Sequence, residues 1–180
     1  MLIKEKSSTA AARASKPAGA SKLRSAVKNP TPRLKAVGGR SGTLDPRMFA
    51  NIVEHGPRGF DAVQLIREGF PAKILKSVSG FFGETEARIL SIVRVPATTA
   101  SRLEKAAAKI DSAATERVYR MGAVTRMAIE IFEDKEHAIA WMRQPNLALG
   151  NAMPLELMDT EPGAVSVRQI LNAIATGGVA

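Results

Sequence analysis

Three features of the sequence predict an all-α fold. Beyond residue 47 the large apolar residues recur three and four positions apart, and no run alternates convincingly with period two. Glycine and proline stand at the ends of those runs, where helices stop and start. Asp, Ser or Thr precedes several of them, in place to accept the free backbone N–H groups of a first turn.

The first quarter of the chain follows none of these patterns. Residues 1–47 hold eleven Lys or Arg, opposed only by Glu5 and Asp45, so the whole net charge of +9 sits there. All eight aromatic residues lie at Phe49 or beyond. A stretch rich in Ala, Ser, Lys and Pro has too little apolar surface to offset the entropy of ordering it. Residues 1–47 are therefore expected to form a disordered basic arm that raises non-specific affinity for DNA or RNA. The Arg- and Ser-rich, acid-poor composition also resembles a transit peptide, but Pro17, Pro30 and Pro32 interrupt any long amphipathic helix.

From residue 48 the chain reads as consecutive helices. Phe60, Val63, Leu65 and Ile66 give one helix an apolar face, and Gly69 stands just past its end. Pro71 suits the first turn of a second helix through Ile74, Leu75 and Val78, with Gly80 and Gly83 at its end. Glu84 to Val93 form a third, with Ile89, Leu90 and Val93 on one side. Pro96 interrupts it, because the residue before a proline avoids helical geometry. Thr98 or Thr99 is expected to cap the next helix, which runs towards Lys109; Ser101 with Glu104 is the alternative cap.

Asp111 or Ser112 caps a long helix to about Phe132, with Val118, Met121, Val124, Ala128, Ile131 and Phe132 on its buried side. Glu116–Arg120 and Arg126–Glu130 are four-residue pairs, each worth about 0.2–0.5 kcal/mol. Asp134 caps a shorter helix that turns Ala138, Ile139, Trp141 and Met142 inward. Met121, Met127 and Met142 read as gap-filling core. Pro145 stops that helix, Asn146 bonds the following turn, and Gly150 supplies a left-handed position. Pro154 opens a helix of one to two turns with Leu155 and Met158 on one face. Thr160 caps the last helix, with Glu161 and Pro162 in its first turn and Val167, Ile170, Leu171 and Ile174 as its apolar stripe.

Two function classes are set aside by residue types. There is no Cys, no His pair at ligand spacing around His55 or His137, no Gly-x-Ser-x-Gly and no phosphate-cradling Gly-rich loop. No catalytic residue, metal or cofactor is therefore expected. No apolar run approaches the ~18–20 residues of a membrane span, and no apolar stretch follows the first charges. The expectation is a cytoplasmic protein with no membrane partner.

The positive signal begins at the third helix. Helix, short turn, then a second helix carrying Thr98, Thr99, Ser101, Arg102 and Lys105 near its start is the order of a helix-turn-helix. Small hydroxyls and cations there can reach phosphates and base edges in a major groove. Further on, Trp141, Pro145-Asn146, Ala148-Leu149-Gly150 and the run from Pro154 to Gly163 follow in close succession. That segment, continued through Val167, Ile170, Leu171 and Ile174, resembles the C-terminal domain of the Xre/MbcA/ParS antitoxins. Ile92 to Leu103 is similar to the family's divergent helix-turn-helix, with Arg102 at a position where the family often has arginine.

The resemblance implies an all-α protein in which an Xre-like helix-turn-helix bundle, residues 48–110, precedes a small helical toxin-binding domain, residues 111–180. It implies a RES-domain toxin as partner, one that consumes NAD⁺ and whose active site the C-terminal domain occludes. It implies binding to the promoter of its own operon, and a homodimer within a larger hetero-oligomer. The toxin-binding residues it suggests are Asn146, Leu155, Glu156, Asp159 and Glu161, then Gly177, Gly178 and Ala180 at the tail. Carboxylates can substitute for phosphate in charge-assisted bonds, and two glycines let a narrow tail enter a cleft. Two alternatives stand beside it: a stand-alone helix-turn-helix regulator without a toxin, whose C-terminal domain serves only dimerisation, and an RNA- or ribosome-associated protein, a reading that rests only on the basic arm.

Overall fold

The order of helices follows from where the chain can start and stop them. In a computed structural model that describes residues 47–178, α1 (Met48–His55), α2 (Gly59–Glu68), α3 (Ile74–Phe82), α4 (Glu86–Val93) and α5 (Ala97–Lys105) come first. They are followed by α6 (Ser112–Phe132), α7 (Lys135–Met142), two 3₁₀ turns (Leu147–Leu149 and Glu156–Asp159) and α8 (Glu161–Ala175). The basic arm, apart from Arg47, lies outside the described residues, as do Val179 and Ala180.

The caps read from the sequence hold α6, α7 and α8. Asp111 accepts from Ala114 N at 2.7 Å, Asp134 from His137 N at 2.5 Å, and Thr160 from Gly163 N at 3.3 Å. These bonds satisfy amides that a first helical turn leaves without partners. Gly69, Gly83 and Gly150 take left-handed φ values of 79°, 62° and 67°, as their places at element ends require.

At 21 residues, roughly 30 Å, α6 is the axis of the fold. It packs on α1, α2, α4, α7, α8 and the second 3₁₀ turn. One hydrophobic core runs along it, from Phe49, Ile74 and Ile89 through Val118, Met121 and Met142 to Leu155 and Leu171. The packing therefore crosses residue 110 without a break. Gly122 admits α1 at close range, since a Cβ there would stand 2.8 Å from Ile52 Cγ2.

Several local expectations are corrected. The helix α1 was not legible, yet its Phe49 packs with Phe81 and Phe82 at centroid distances of 5.0 and 5.6 Å. Phe60 and Val63 do not face the core: they are 71% and 40% exposed, and Ala62 is the buried residue of α2. Pro71 precedes α3, in an isolated bridge to Lys109, and Gly80 lies inside that helix. Pro96, not Thr98, Thr99 or Ser101, sits at the N-cap of α5, which ends at Lys105. Glu104 bonds Lys76 at 2.6 Å instead of supporting a cap. Arg126 and Glu130 do not pair with each other. Arg126 donates to Gly56 O at 3.0 Å, and Glu130 meets Arg58 at 3.4 Å, so tertiary partners replace the local pair. The turn after Pro154 is 3₁₀ in type.

Candidate functional site

The unit α4–turn–α5 is built from local chemistry. Thr85 caps α4 by accepting from Arg88 N at 3.3 Å. Arg94 ends that helix in the left-handed region at φ 59°, and Pro96 sets the extended backbone that starts α5. Ala100 is the buried residue of α5 and Val95 is buried in the turn, which anchors both to the core. The Lys76–Glu104 bond fastens α5 to α3, and its carboxylate raises the Lys76 ammonium above the ordinary 10.5. Behind α5, Ile110 N donates to Phe70 O at 2.8 Å and Ala72 N to Ala108 O at 2.9 Å, closing the unit.

On the outer side of α5, Ala97, Thr98, Ser101, Arg102, Lys105 and Ala106 line an open groove of about 770 Å³. Thr98, Ser101, Arg102 and Lys105 are exposed together, and Thr99 is half-buried. Among the described residues no carboxylate pairs with Arg102 or Lys105. Two uncommitted cations and small hydroxyls on one helical face are suited to phosphate oxygens and base edges.

The C-terminal module is a set of bonded turns on α7 and α8. Asn146 Oδ1 accepts from Ala148 N at 2.8 Å, so this side chain is already engaged in shaping its turn. Leu155 is 1% exposed and lies in the core, which removes it from the surface expected to meet a partner. Gly177 and Gly178 have a structural role. Gly177 takes φ 75°, and Gly178 N donates to Ala173 O at 2.7 Å while Gly177 N donates to Ile174 O at 3.1 Å. That bond pair is the glycine stop of a helix C-terminus. Ala180 lies outside the described residues.

The three carboxylates of this module are held by the chain's own arginines. Glu156 meets Arg88 at 2.7 Å, Asp159 meets Arg94 at 2.7 Å, and Glu161 meets Arg120 at 3.1 Å and also Arg168. Arg117 donates to Val93 O at 3.3 Å and to Asp159 O at 3.2 Å, so one guanidinium joins the end of α4 to the end of the 3₁₀ turn. Arg120, 9% exposed, donates to Met158 O at 3.0 Å and pairs with Glu116. Between α4 and this turn lies a cleft of about 230 Å³ lined by Arg88, Ser91, Ile92, Glu156 and Asp159. The sequence reading missed these arginines. The available signal was three acids within six residues, in a stretch with no Lys or Arg between Arg143 and Arg168.

Comparison with known proteins places both parts. Residues 61–121 match the antitoxin Xre-like helix-turn-helix domain, and residues 127–177 match the antitoxin Xre/MbcA/ParS C-terminal toxin-binding domain. The chain is similar to the Antitoxin Xre of Yersinia enterocolitica, 29% identical over 121 residues that cover 67% of this chain and 82% of that one. It is also similar to the Antitoxin Xre of Photorhabdus laumondii, 28% identical over 114 residues covering 63% and 77%. The class is thus a helix-turn-helix DNA-binding domain joined to a helical toxin-binding domain. Within that class the chain belongs to the Xre-type antitoxins.

Proposed function

We propose that this antitoxin binds a RES-domain toxin, occludes its NAD⁺-consuming active site, and represses its own operon through α4 and α5. The single observation that carries the first part is the match of residues 127–177 to a toxin-binding domain of this family. The exposed Thr98, Ser101, Arg102 and Lys105 support the second. On this reading the chain works by contact and performs no catalysis itself, as a homodimer within a hetero-oligomer in the cytoplasm.

The arginine-held acids refine how docking proceeds. A cationic group of the toxin that approaches Glu156 or Asp159 competes with Arg88 or Arg94 for the same oxygens. Exposed ion pairs of this kind hold by no more than about 1 kcal/mol, so the exchange is energetically accessible. Asn146, Glu161 and the chain after Ile174 complete the proposed docking surface.

The test is co-expression with the RES-domain product of the adjacent gene. The expected result is a stable complex and cellular NAD⁺ maintained at the level of a toxin-free control. NAD⁺ that falls equally with and without this chain would remove the toxin from the proposal and leave a stand-alone regulator.

A further inference from the structure

Leu147 is 89% exposed, the most exposed of the large hydrophobic residues described. It does not sit on a loose loop. The excursion that carries it leaves α7 and returns where Leu155 N donates to Met142 O at 2.9 Å. Within that base, Asn146 and Ala152 form an antiparallel bridge, with Asn146 N donating to Ala152 O at 3.0 Å.

The tip is bonded at nearly every amide. Leu149 N and Asn151 N donate to Asn146 O at 3.0 and 2.9 Å, Gly150 N to Leu147 O at 3.1 Å, and Ala148 N to Asn146 Oδ1 at 2.8 Å. Gly150 and Asn151 both take left-handed φ, 67° and 66°, which reverses the chain in the fewest residues. Leu149, two positions on, is half-buried against the core, and its turn packs on α8. The turn therefore has one leucine inward and one outward.

The outward leucine side chain on this pre-ordered turn buries almost none of its surface in the fold, so its apolar area is available to a partner. The same rigidity lowers the ordering cost of inserting it into a partner. We infer that Leu147 is an anchor that seats in an apolar pocket on the toxin, beside the surface on which the carboxylates dock. The inference rests on the toxin reading above and on the place of Leu147 inside the toxin-binding match, residues 127–177. The pocket it fits is the size of one leucine side chain, rimmed by groups that accept a mainly neutral surface, since Gln144, Pro145, Asn146, Ala148 and Asn151 flank it.

The experiment measures affinity of Leu147→Ala, Leu147→Asp and Leu147→Met for the purified RES-domain product of the adjacent gene, carrying an inactivating substitution so that it can be produced alone. Alanine is expected to weaken binding about ten- to a hundred-fold, mainly through faster dissociation, aspartate more, and methionine little. Melting temperatures should not move, because the residue is exposed. If the wild type binds and alanine binds equally well, the anchor is refuted while the toxin reading stands. If the wild type does not bind, the toxin reading falls and the anchor with it. Sedimentation of the antitoxin alone supplies the other outcome: a dimer that alanine converts to monomer, with toxin affinity unchanged, assigns Leu147 to a second copy of the chain and overturns the inference.

Discussion

Arg94 and Asp159 meet at 2.7 Å across 65 positions of sequence, and the contact fastens the turn between α4 and α5 to the acidic segment of the C-terminal module. Both side chains keep some exposure, 54% and 30%, so the pair is hydrated and open to salt. A double-mutant cycle with Arg94→Ala and Asp159→Ala should give a coupling of about 0.2–1 kcal/mol at low salt, smaller in 1 M salt. Denaturant melts measure it. No coupling at low salt would mean the pair does not persist in solution.

Gly163 and Gly80 should respond oppositely to alanine. A Cβ at Gly163 would lie 2.3 Å from the Leu157 carbonyl oxygen, a backbone atom that cannot swing aside. Gly163→Ala should cost about 1–3 kcal/mol, as other overpacked sites do. At Gly80, inside α3, the added methyl meets nothing within 4 Å. Gly80→Ala should stabilise the protein by about 0.5–1 kcal/mol, through helix propensity and a less flexible unfolded chain. Unfolding in urea with unchanged m-values separates the two.

The bond from Glu104 raises the Lys76 ammonium above its ordinary 10.5, so folding favours the protonated form. The contribution is fully present below pH 10.5 and is lost as pH climbs through the raised value. Wild type should therefore melt above Glu104→Gln at pH 8, with the gap narrowing once the pH passes that range. A gap that stays constant to pH 11.5, about one pH unit beyond the ordinary lysine value, would detach it from this ammonium.

Arg102→Ala and Lys105→Ala should each weaken binding to the promoter of this chain's operon, and each should reduce the salt slope by about one. Titrations of labelled promoter DNA at several salt concentrations report both. Unchanged slopes would take these two side chains off the DNA.

The parts of this structure that were legible in the sequence are those governed by neighbours in the chain. Asp111, Asp134 and Thr160 each cap the helix that follows, and Gly150 turns left-handed where the turn needs it. The helix α1 escaped because it has no side-chain cap and no acid in its first turn, and because it adjoins the basic arm. Phe60 was misplaced because periodicity reports that a helix has an apolar stripe without reporting what covers it. The arginine seam was invisible for a different reason. Arg88 and Glu156 stand 68 residues apart, and only the fold decides that they meet. Among the proposed contact positions, Leu155 fell to the core because a turn with two apolar residues on one side must bury them.

Arg117 lies on α6, yet its bonds to Val93 O and Asp159 O serve the end of α4 and the acidic turn of the C-terminal module at once. A chimera that exchanges toxin specificity between relatives by joining chains near residue 110 would combine an α6 from one parent with an α4 from the other. The graft that respects this architecture transfers α6 together with the surfaces it bridges, or keeps the arginines on α4 and α6 matched to the carboxylates and carbonyls they hold.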